Sequence, residues 1–482
     1  MTGSQPIKRT EHPHRRQNDD TKATDDWQRS AQHPLNWPLS KRWKNALIIS
    51  ITGFLSTTGS SILVPAATFM QDEWNVSSRE LTTLATTAMY VFGLGAGPFL
   101  FAPVSELYGF LAFNLGCCFA PNLPAMIVLR FFSGVFGSSG PGLGVATISD
   151  LFVPRERGRA ISVYALGPLL GPSLGSILGN YIVLAYWRWT LRVLTIAVGV
   201  NVLLVVTCMN ETYAPVLEKL YREQGELVHE PTGVLDRAMA VFRPHPEAKS
   251  VVLRTFTRPP RMLMNPVCAI FVTYYAYIYA IIYVYLVSLP LLFARHDPPT
   301  GIFTYGWGPK TQGLSYLGLT IGFLSAAAVA SQYADKIYRA CCTRYKSDGQ
   351  PEFRLVLTQI GMLLFPMGIF VWAWTAQAQT HWIFPLLGSA LLAFGLMLAF
   401  NSIQNFVVDA FVPYSAAAMA AATLARSIAG CVLPIFSDNL FISLGYGVGG
   451  TILACVSLPA IPAPFVLFMY GHRLREKYKF VN

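Results

Sequence analysis

The sequence predicts an all-α integral membrane protein that crosses a bilayer twelve times. The first observation is composition: of 482 residues, 53% are hydrophobic and 13% are charged, whereas soluble domains carry about 25% charged residues. The second is a series of long runs without charge, and the third is a net charge of +11 that falls mostly on one side of these runs. Together they exclude a soluble enzyme, a disordered scaffold and a secreted disulfide-linked module.

Runs of sequence without Asp, Glu, Lys or Arg set the positions of the membrane spans. A helix needs about 20 residues to cross a hydrocarbon core of about 30 Å, and almost every run reaches this length. Helices rather than strands are expected, because the runs lack the alternation of a membrane β-barrel. The predicted spans are 46–68, 82–103, 110–122, 125–149, 160–181, 190–209, 266–292, 313–333, 355–375, 383–405, 416–437 and 448–470.

The third predicted span is shorter than the others. Two helices must fit between Glu106 and Asp150, and Pro121 and Pro124 interrupt this stretch after about a dozen apolar residues. With this span present, 29 Lys and Arg fall on the side of the N-terminus and 4 on the other side. Without it, the split becomes about 12 against 21. Because cytoplasmic loops carry the excess of cations, we expect twelve spans, a truncated third helix and both termini in the cytoplasm.

The span pattern divides the chain into two halves of six helices joined by a polar linker. The predicted regions are a polar cytoplasmic N-terminal tail (1–45), an N-terminal six-helix half (46–210), a cytoplasmic linker (211–265), a C-terminal six-helix half (266–470) and a basic cytoplasmic C-terminal tail (471–482).

Arg130 lies inside the apolar run IVLRFFSGVFGSSG. A guanidinium at the centre of a membrane helix costs at least about 2.5–3.5 kcal/mol, so this side chain is expected to face the bundle interior and to have a partner. Two interpretations are open from the residues alone. Arg130 either couples proton movement or gates the substrate, or it forms a structural ion pair that fixes helix packing.

The fifth predicted span carries a glycine at every fourth position and two prolines. This spacing places small residues on one helix face, where they allow a neighbouring helix to approach closely. The pattern is typical of a hinge or a tight seam between moving helices, and plain helix packing is the alternative. The residues of this pattern are Gly167, Pro168, Gly171, Pro172, Gly175 and Gly179.

The second and eighth spans end in a similar way, with small residues, an acid and then a tyrosine. Glu106 is followed by Tyr108, and Asp335 is followed by Tyr338. Repeated halves are typical of secondary transporters. The two acids are therefore expected to dock on helix ends and to stabilise one gating state, rather than to be ordinary loop acids. Asp150, at the end of the fourth span, is a further candidate for gating or proton coupling.

The seventh predicted span holds six tyrosines within twelve residues. Tyr275, Tyr279 and Tyr283 fall on one helix face. Aromatic rings with polar tips suit a cavity that binds flat organic cargo, and an aromatic belt at the membrane interface is the alternative. Arg426, inside the eleventh span, is grouped with these tyrosines as a candidate residue of the substrate cavity.

Other kinds of chemistry find little support in the sequence. The eight His do not cluster and the eight Cys lack metal-binding spacing, so we expect no metal site, no catalytic residues and no cofactor. The sequence holds no GxxxxGK[ST] loop for a nucleotide phosphate, and no nucleic-acid partner is expected. Asn75-Val-Ser is a weak glycosylation sequon.

Short motifs recur along most of the chain, from about Asn36 to the C-terminus. They are GSSILVPA (59–66), GLGAGPFLFAPVSELYG (93–109), APN (120–122), RFFSGVFGSS (130–139), WRW (187–189), ETYAPVLEKL (211–220), YGWGPKTQGLSYLGL (305–319), PEFRL (351–355) and RSIAG (426–430). Together they resemble the motifs of the fungal twelve-span drug–proton antiporters of the major facilitator superfamily.

The resemblance implies two six-helix halves around a central cavity and transport by alternating access. It implies export of small hydrophobic or amphipathic compounds, such as drugs, fungicides or fungal secondary metabolites, with a proton gradient as the energy source. It further implies a plasma membrane protein, with the vacuolar membrane as the alternative, that acts as a monomer. Arg130 and Gly134 match the Arg-x-x-x-Gly motif associated with proton coupling. Gly167 to Gly179 match the antiporter motif, whose glycine face is expected to form the interface that opens, and Ser176 and Asn180 depart from it.

The largest departure from the family pattern follows Gly109. Roughly a dozen residues are missing there, including a pair of arginines that the family carries. A wrongly predicted exon boundary or a diverged transporter would each explain this gap. The alternatives to an exporter are therefore an uptake symporter on the same fold and a non-functional relic.

Overall fold

The computed structural model describes residues 27, 29–100, 103–212, 217–218, 261–294, 302–346, 349–411 and 415–477. The regular elements within these ranges are helices. Those of the first half are α1 (Leu39–Ser61), α2 (Ala67–Trp74), α3 (Arg79–Thr83), α4 (Met89–Leu100), α5 (Pro103–Cys118), α6 (Leu123–Gly137), α7 (Ser139–Leu151), α8 (Pro154–Val183) and α9 (Arg188–Cys208). Those of the second half are α10 (Pro266–Phe293), α11 (Leu317–Tyr345), α12 (Val356–Gln377), α13 (Ile383–Ala410), α14 (Ser415–Ile435), α15 (Ser437–Ser457) and α16 (Pro462–Lys477).

Most of these helices are long and apolar enough to cross a membrane. Nine stretches of the described chain meet this criterion, and Tyr108–Cys118 and Leu123–Gly137 are shorter apolar helices. The second span is a continuous helix in which a π-helical segment, Leu84–Ala88, joins α3 to α4. The predicted all-α membrane architecture is therefore confirmed. Most of the predicted linker, 211–265, lies outside the described residues, so the five region boundaries stay predictions.

The short third span is α5, which has 16 residues and is about 24 Å long. The last carbonyls of a helix have no partner within it, and Arg188 supplies one. Its Nη1 donates to the carbonyls of Ala120 at 2.9 Å and Cys118 at 3.4 Å. Glu73 holds Arg188 in place through a 2.7 Å ion pair. The carbonyls at the end of the truncated helix thus have a hydrogen-bond donor that an ion pair holds in place.

The next helix begins where the sequence predicts an interruption. Asn122 has extended backbone, and its Oδ1 accepts a 3.0 Å hydrogen bond from the amide of Ala125. This is the arrangement of a helix N-cap, which favours asparagine. Pro124 lies in the first turn of α6, where its missing N–H costs nothing. The residues that shorten the third span therefore also start the fourth.

The twelfth span begins at Ser437, well before the predicted start at 448. The predicted start was wrong because Asp438 was expected to lie at the end of a span and outside the twelfth helix. Asp438 lies in the first turn of α15, where the positive end of the helix dipole favours a carboxylate. The span is kinked at Gly445, whose φ of 76° is in the left-handed region that glycine adopts readily.

The helices pack as two halves that meet along two seams. In the first half, α1 packs on α7 and α8, and α6 packs on α4 and α5. In the second half, α13 packs on α11 and α12, α10 packs on α14, and α15 packs on α12. The halves contact each other where α8 meets α11 and where α4 meets α14. These two seams enclose the interior of the molecule.

Candidate transport path

Arg130 is fully buried on α6 and is held by backbone carbonyls. Its Nη2 donates to the carbonyls of Gly59 and Thr86, both at 2.6 Å, and its guanidinium lies 4.4 Å from the ring centroid of Tyr90. Thr86 belongs to the π-helical segment, a feature that interrupts the regular helical hydrogen-bond pattern. In the described part of the chain no carboxylate forms an ion pair with Arg130, so carbonyl dipoles are its partners instead of an acid.

Gly134 allows α6 to approach the second span beside Arg130. A side chain at Gly134 would collide with the carbonyl of Tyr90, and one at Gly93 would collide with the carbonyl of Phe131. Backbones that approach this closely need small residues at the contact. The Arg-x-x-x-Gly pattern therefore has a packing role in addition to any role of the charge.

The glycine face of α8 packs on α1, within the first half. A side chain at Gly167 would collide with the carbonyl of Ser50, and one at Gly179 with the carbonyl of Ile62. Gly171 and Gly175 face α1 in the same way. The expectation that this face forms the interface that opens between the halves is therefore not met in this conformation. The seam between the halves uses other residues of α8.

The first proline of α8 is compensated by a side chain from α1. Pro168 lacks the N–H that would bond to the carbonyl of Tyr164, and the hydroxyl of Ser50 donates to this carbonyl at 3.1 Å. The hydroxyl of Ser61 donates to the carbonyl of Pro172 at 2.7 Å, which adds a second hydrogen bond between the two helices. Membrane helices tolerate proline when neighbouring hydroxyls satisfy the freed carbonyls. The antiporter pattern is therefore matched by a serine-bearing partner helix.

One end of the seam is closed by a group of four charges that we call the four-charge cluster: Arg157, Asp335, Arg354 and Asp409. Asp335 on α11 accepts a 2.9 Å hydrogen bond from the backbone N–H of Arg159 on α8 and pairs with Arg354 at 3.2 Å. Asp409 lies 3.3 Å from Arg157 and 3.2 Å from Arg354. Charges of both halves therefore meet here.

The sequence pointed to only part of this cluster. Asp335 was a candidate, whereas the pairing of Arg157 with Asp409 was missed, because 252 residues separate the two and only the fold joins them. Asp150 is partly buried at the end of α7, near the charges of Arg157 and Glu211. The side chain of Glu106 lies outside the described part of the chain, so its predicted role stays a prediction.

The opposite end is closed by polar contacts that also join the halves. Arg79 pairs with Asp438 at 3.6 Å, and the amide of Asn439 donates to Glu80 at 2.9 Å. These contacts bridge α3 and α15. They lie at the start of the second span, and α5 follows the other end of that span. None of the four residues was a predicted site residue.

Asn180 closes the other seam at this end. Its amide donates to the carbonyl of Pro309 at 2.7 Å, and Gly313 packs against it. Asn180 and Arg157 lie near opposite ends of α8, about 35 Å apart. Asn180, one of the two positions that depart from the antiporter motif, therefore makes a contact between the halves.

The predicted cavity residues do come together in the interior. Tyr275, Tyr279 and Tyr283 on α10 are all buried, and the guanidinium of Arg426 lies 4.7 Å from the ring centroid of Tyr279. The hydroxyls of Tyr279 and Tyr283 are 3.2 Å apart. That of Tyr283 lies 2.9 Å from the hydroxyl of Ser60 on α1, so this polar row crosses from one half to the other.

A small space remains between α10, α13 and α14. The space is too tight to admit a water molecule, whereas pockets that hold drug-sized ligands measure about 300–1,000 Å³. The interior is therefore closed in this conformation, and cargo needs movement of the helices to enter. The residues that line the space are Val272, Tyr275, Ile403, Gln404, Val407, Met419 and Ala422.

Two further predicted features lie outside this path. Asn75 is exposed and ends α2 with a left-handed φ of 51°, so its side chain is accessible to a modifying enzyme. Across the described ranges, no group of three or more His, Cys, Asp or Glu is arranged to hold a metal ion.

The two halves and the two seams between them are the features that comparisons with known proteins can test. The family model of the Major Facilitator Superfamily matches residues 49–434. The chain belongs to the major facilitator superfamily. Members of this superfamily are multi-pass membrane transporters of small molecules, so the chain is a transporter and not an enzyme.

Individual members of the superfamily agree with this assignment. The chain is 32% identical to the Efflux pump radE of Floropilus chiversii over 93% of its own length and 84% of that protein. It is also 32% identical to the MFS transporter cpaT of Aspergillus oryzae, over 93% and 90%. The solved proton:xylose symporter XylE shares 14% identity and a TM-score of 0.65, over 92% of this chain and 100% of that one. The resemblance to the fungal efflux branch is confirmed, and the likeness to XylE shows the fold.

Proposed function

We propose that this transporter exports small hydrophobic or amphipathic organic compounds by alternating access, with a proton gradient as the energy source. One observation carries the proposal. An interior lined by arginine and tyrosine is closed at both ends by contacts between the two halves. Because each set of contacts can break without the other, rocking of the halves would open the interior to one side at a time.

Export, rather than uptake, is supported by the relatives. The name of radE describes an efflux pump, and the alignment with radE covers most of both chains. Drugs, fungicides and fungal secondary metabolites are the compound classes we propose, and the aromatic row of α10 suits flat members of these classes. We propose the plasma membrane as the site of action, with both termini in the cytoplasm and the four-charge cluster on the cytoplasmic side.

Proton coupling is assigned to Arg130. A buried guanidinium disfavours a second positive charge nearby, so it would lower the proton affinity of a neighbouring group until cargo or helix movement changes their distance. Glu106, Asp150 and Asp335 remain the candidate acids. The buttressed end of α5 argues against a relic, since the shortened helix ends with hydrogen-bonded carbonyls.

The test measures accumulation of a panel of labelled compounds in cells that lack other pumps. We expect expression of the transporter to lower the retention of at least one hydrophobic or amphipathic compound, and a protonophore to restore it. Proton-dependent accumulation would instead identify an uptake symporter. A relic would be identified by two results together. The transcript would truly lack the dozen residues, and the protein would reach the cell surface without transporting any compound.

A further inference from the structure

The described interior holds two full positive charges and no carboxylate in contact with either. Arg130 and Arg426 are 0% and 4% exposed, whereas the ion-paired acids of the described chain belong to the closed ends and surface. Buried charges are normally paired with an opposite charge. The interior therefore offers an unmatched positive potential to whatever enters it.

Arg426 makes fewer and longer hydrogen bonds than Arg130, although both arginines keep buried nitrogens without a partner, Nε and Nη1 of Arg130 and Nε of Arg426. Among the described residues, the hydrogen bond of Arg426 runs from Nη1 to the hydroxyl of Tyr275 at 3.3 Å. The faces of Tyr279 and Phe400 lie 4.7 and 5.8 Å from the guanidinium carbon. Cation–π contacts stabilise the charge without using its N–H groups, which stay available to an acceptor.

A second donor points to the same place. The hydroxyl of Tyr275 accepts hydrogen bonds from Gln404 at 2.8 Å and from Arg426. With two donors directed at its oxygen, the Tyr275 hydroxyl has its own hydrogen left to donate. Asn401, one turn before Gln404 on α13, also has a buried amide whose nitrogen and oxygen lack partners. Gln404 Oε1 is a buried acceptor without a partner as well, so the group offers both donors and acceptors, and the guanidinium of Arg426 is its charged member.

The space beside these donors is otherwise apolar. Tyr275 and Gln404 line it, and its walls include Val272, Ile403 and Met419. Ala422, also in the wall, precedes Arg426 by about one helical turn on α14. A ligand here would place an apolar body in the space and its head group at the donors.

From this geometry we infer that the transporter recognises organic anions, with a carboxylate or an ionised phenol bound by Arg426 and Tyr275 and an apolar or aromatic body held between α10, α13 and α14. The inference rests on the proposed function and narrows its cargo class. A guanidinium pairs with a carboxylate through short, charge-assisted hydrogen bonds. An organic cation at the same place would face repulsion from both buried arginines.

The test compares three probes of similar shape on the purified full-length chain: 2-naphthoate, 2-naphthamide and 2-naphthylmethylammonium. Equilibrium dialysis with labelled probes gives the dissociation constants. We expect wild type to bind naphthoate at least about tenfold more tightly than naphthamide, as a charge-assisted pair predicts, and to bind the ammonium compound weakest. This comparison needs no variant, so folding of a mutant does not affect it.

Variants then assign the preference to residues. Arg426→Gln should remove the preference for naphthoate, Arg426→Lys should retain part of it, and Tyr275→Phe should reduce it by a few-fold. Arg344→Gln, at an exposed position in the last turn of α11, is the matched control and should behave as wild type. Size-exclusion profiles of each variant confirm that it is folded.

The inference is overturned if wild type binds naphthoate no better than naphthamide, or if folded Arg426→Gln keeps the preference. These outcomes are separable from failure of the proposed function. Proton-driven export of neutral or cationic compounds without anion preference would overturn the inference alone. Anion preference without protonophore-sensitive export would overturn the proposed function and leave the binding site standing.

Discussion

Among the described residues, each half of the transporter places one buried arginine in the interior, apart from Arg354 of the four-charge cluster, and the two are held in different ways. Arg130 is fixed by two backbone carbonyls of its own half at 2.6 Å. Arg426 is packed against aromatic rings and makes one long hydrogen bond to a tyrosine. The carbonyls that hold Arg130 belong to the helix framework, whereas the hydroxyl that holds Arg426 belongs to a side chain. Both guanidinium groups lie over aromatic rings and keep N–H groups without a partner, so the difference lies in what fixes each of them.

Both arginines are followed by a glycine after four residues, but the glycines also differ. A side chain at Gly134 would collide with a backbone carbonyl, whereas a Cβ at Gly430 would lie 3.2 Å from a methyl group of Val91 and 3.3 Å from the ring of Tyr279. Side chains can shift where a carbonyl of a packed helix cannot. The same short pattern in the sequence thus marks a rigid contact in one half and an adaptable one in the other.

The largest effect is expected for Arg130→Ala. The substitution removes a buried charge and two hydrogen bonds to it, each worth about 1.5–3 kcal/mol, and it should abolish protonophore-sensitive export. Arg130→Lys keeps the charge and one donor group and should retain a fraction of the activity. Efflux of a labelled substrate is measured with surface biotinylation as the control. Proton-driven efflux that survives in Arg130→Ala at normal surface level would contradict the role of Arg130.

The two glycines give the next largest contrast. Gly134→Ala should destabilise the protein by about 1–3 kcal/mol, as overpacking of a rigid contact does. Gly430→Ala should cost clearly less, because Val91 and Tyr279 can move by a few tenths of an ångström. Thermal unfolding of both purified variants, monitored in the same detergent, measures this difference. Equal melting temperatures for the two variants would refute the contrast between a rigid and an adaptable contact.

The four-charge cluster provides a comparison outside the interior. Asp335→Asn weakens the ion pair with Arg354 and the hydrogen bond from Arg159 of the opposite half. The closed state at this end should therefore lose stability, and export should fall several-fold. Asp72→Asn, at an exposed position on α2, is the matched control and should leave export unchanged. Initial efflux rates are normalised to surface expression. A fall of the same size in both variants would show that the Asp335 contact has no specific role.

The smallest effect is expected where the surroundings of the two arginines meet. Gly59, which binds Arg130, precedes Ser60, whose hydroxyl lies 2.9 Å from that of Tyr283 in the row beside Arg426. Tyr283→Phe also removes the bond to Tyr279, and Ser60→Ala also removes the 2.6 Å bond to the carbonyl of Thr57. A neutral hydrogen bond contributes about 1 kcal/mol, so each substitution should reduce export by a few-fold at most. Because the two substitutions share one bond, the loss in the double variant should be smaller than the sum of the single losses. Additive losses would disprove the link.

Much of the fold could be predicted from the sequence, because a bilayer constrains it strongly. Charge-free runs placed most spans, and the distribution of cations required the short third span that α5 confirms. The twelfth span was misplaced since a charge does not always end a membrane helix. Asp438 lies inside the first turn of α15, where Arg79 from the other half compensates it, and no local pattern reveals a partner so distant in the sequence.

The candidate site was less predictable because its residues differ in what surrounds them. The four-residue spacing of Gly167 to Gly179 predicted a tight helix contact, but not that α1 would be the partner. A buried arginine was evident at both Arg130 and Arg426, yet backbone carbonyls accept hydrogen bonds from one and a tyrosine hydroxyl accepts one from the other. These partners lie far from the arginines in the sequence, so only the packing decides how each guanidinium is held.

The capped, shortened α5 has a consequence for the lipid around the transporter. Its length of about 24 Å falls about 6 Å short of a typical hydrocarbon core, while Leu115 on its surface and Phe119 directly after its end are exposed at 50% and 70%. When a hydrophobic surface is too short, either the adjacent bilayer becomes thinner or polar groups at the helix ends enter the hydrocarbon core. The face that carries α5 thus has a smaller hydrophobic thickness than the rest of the molecule, and it should recruit lipids with shorter acyl chains.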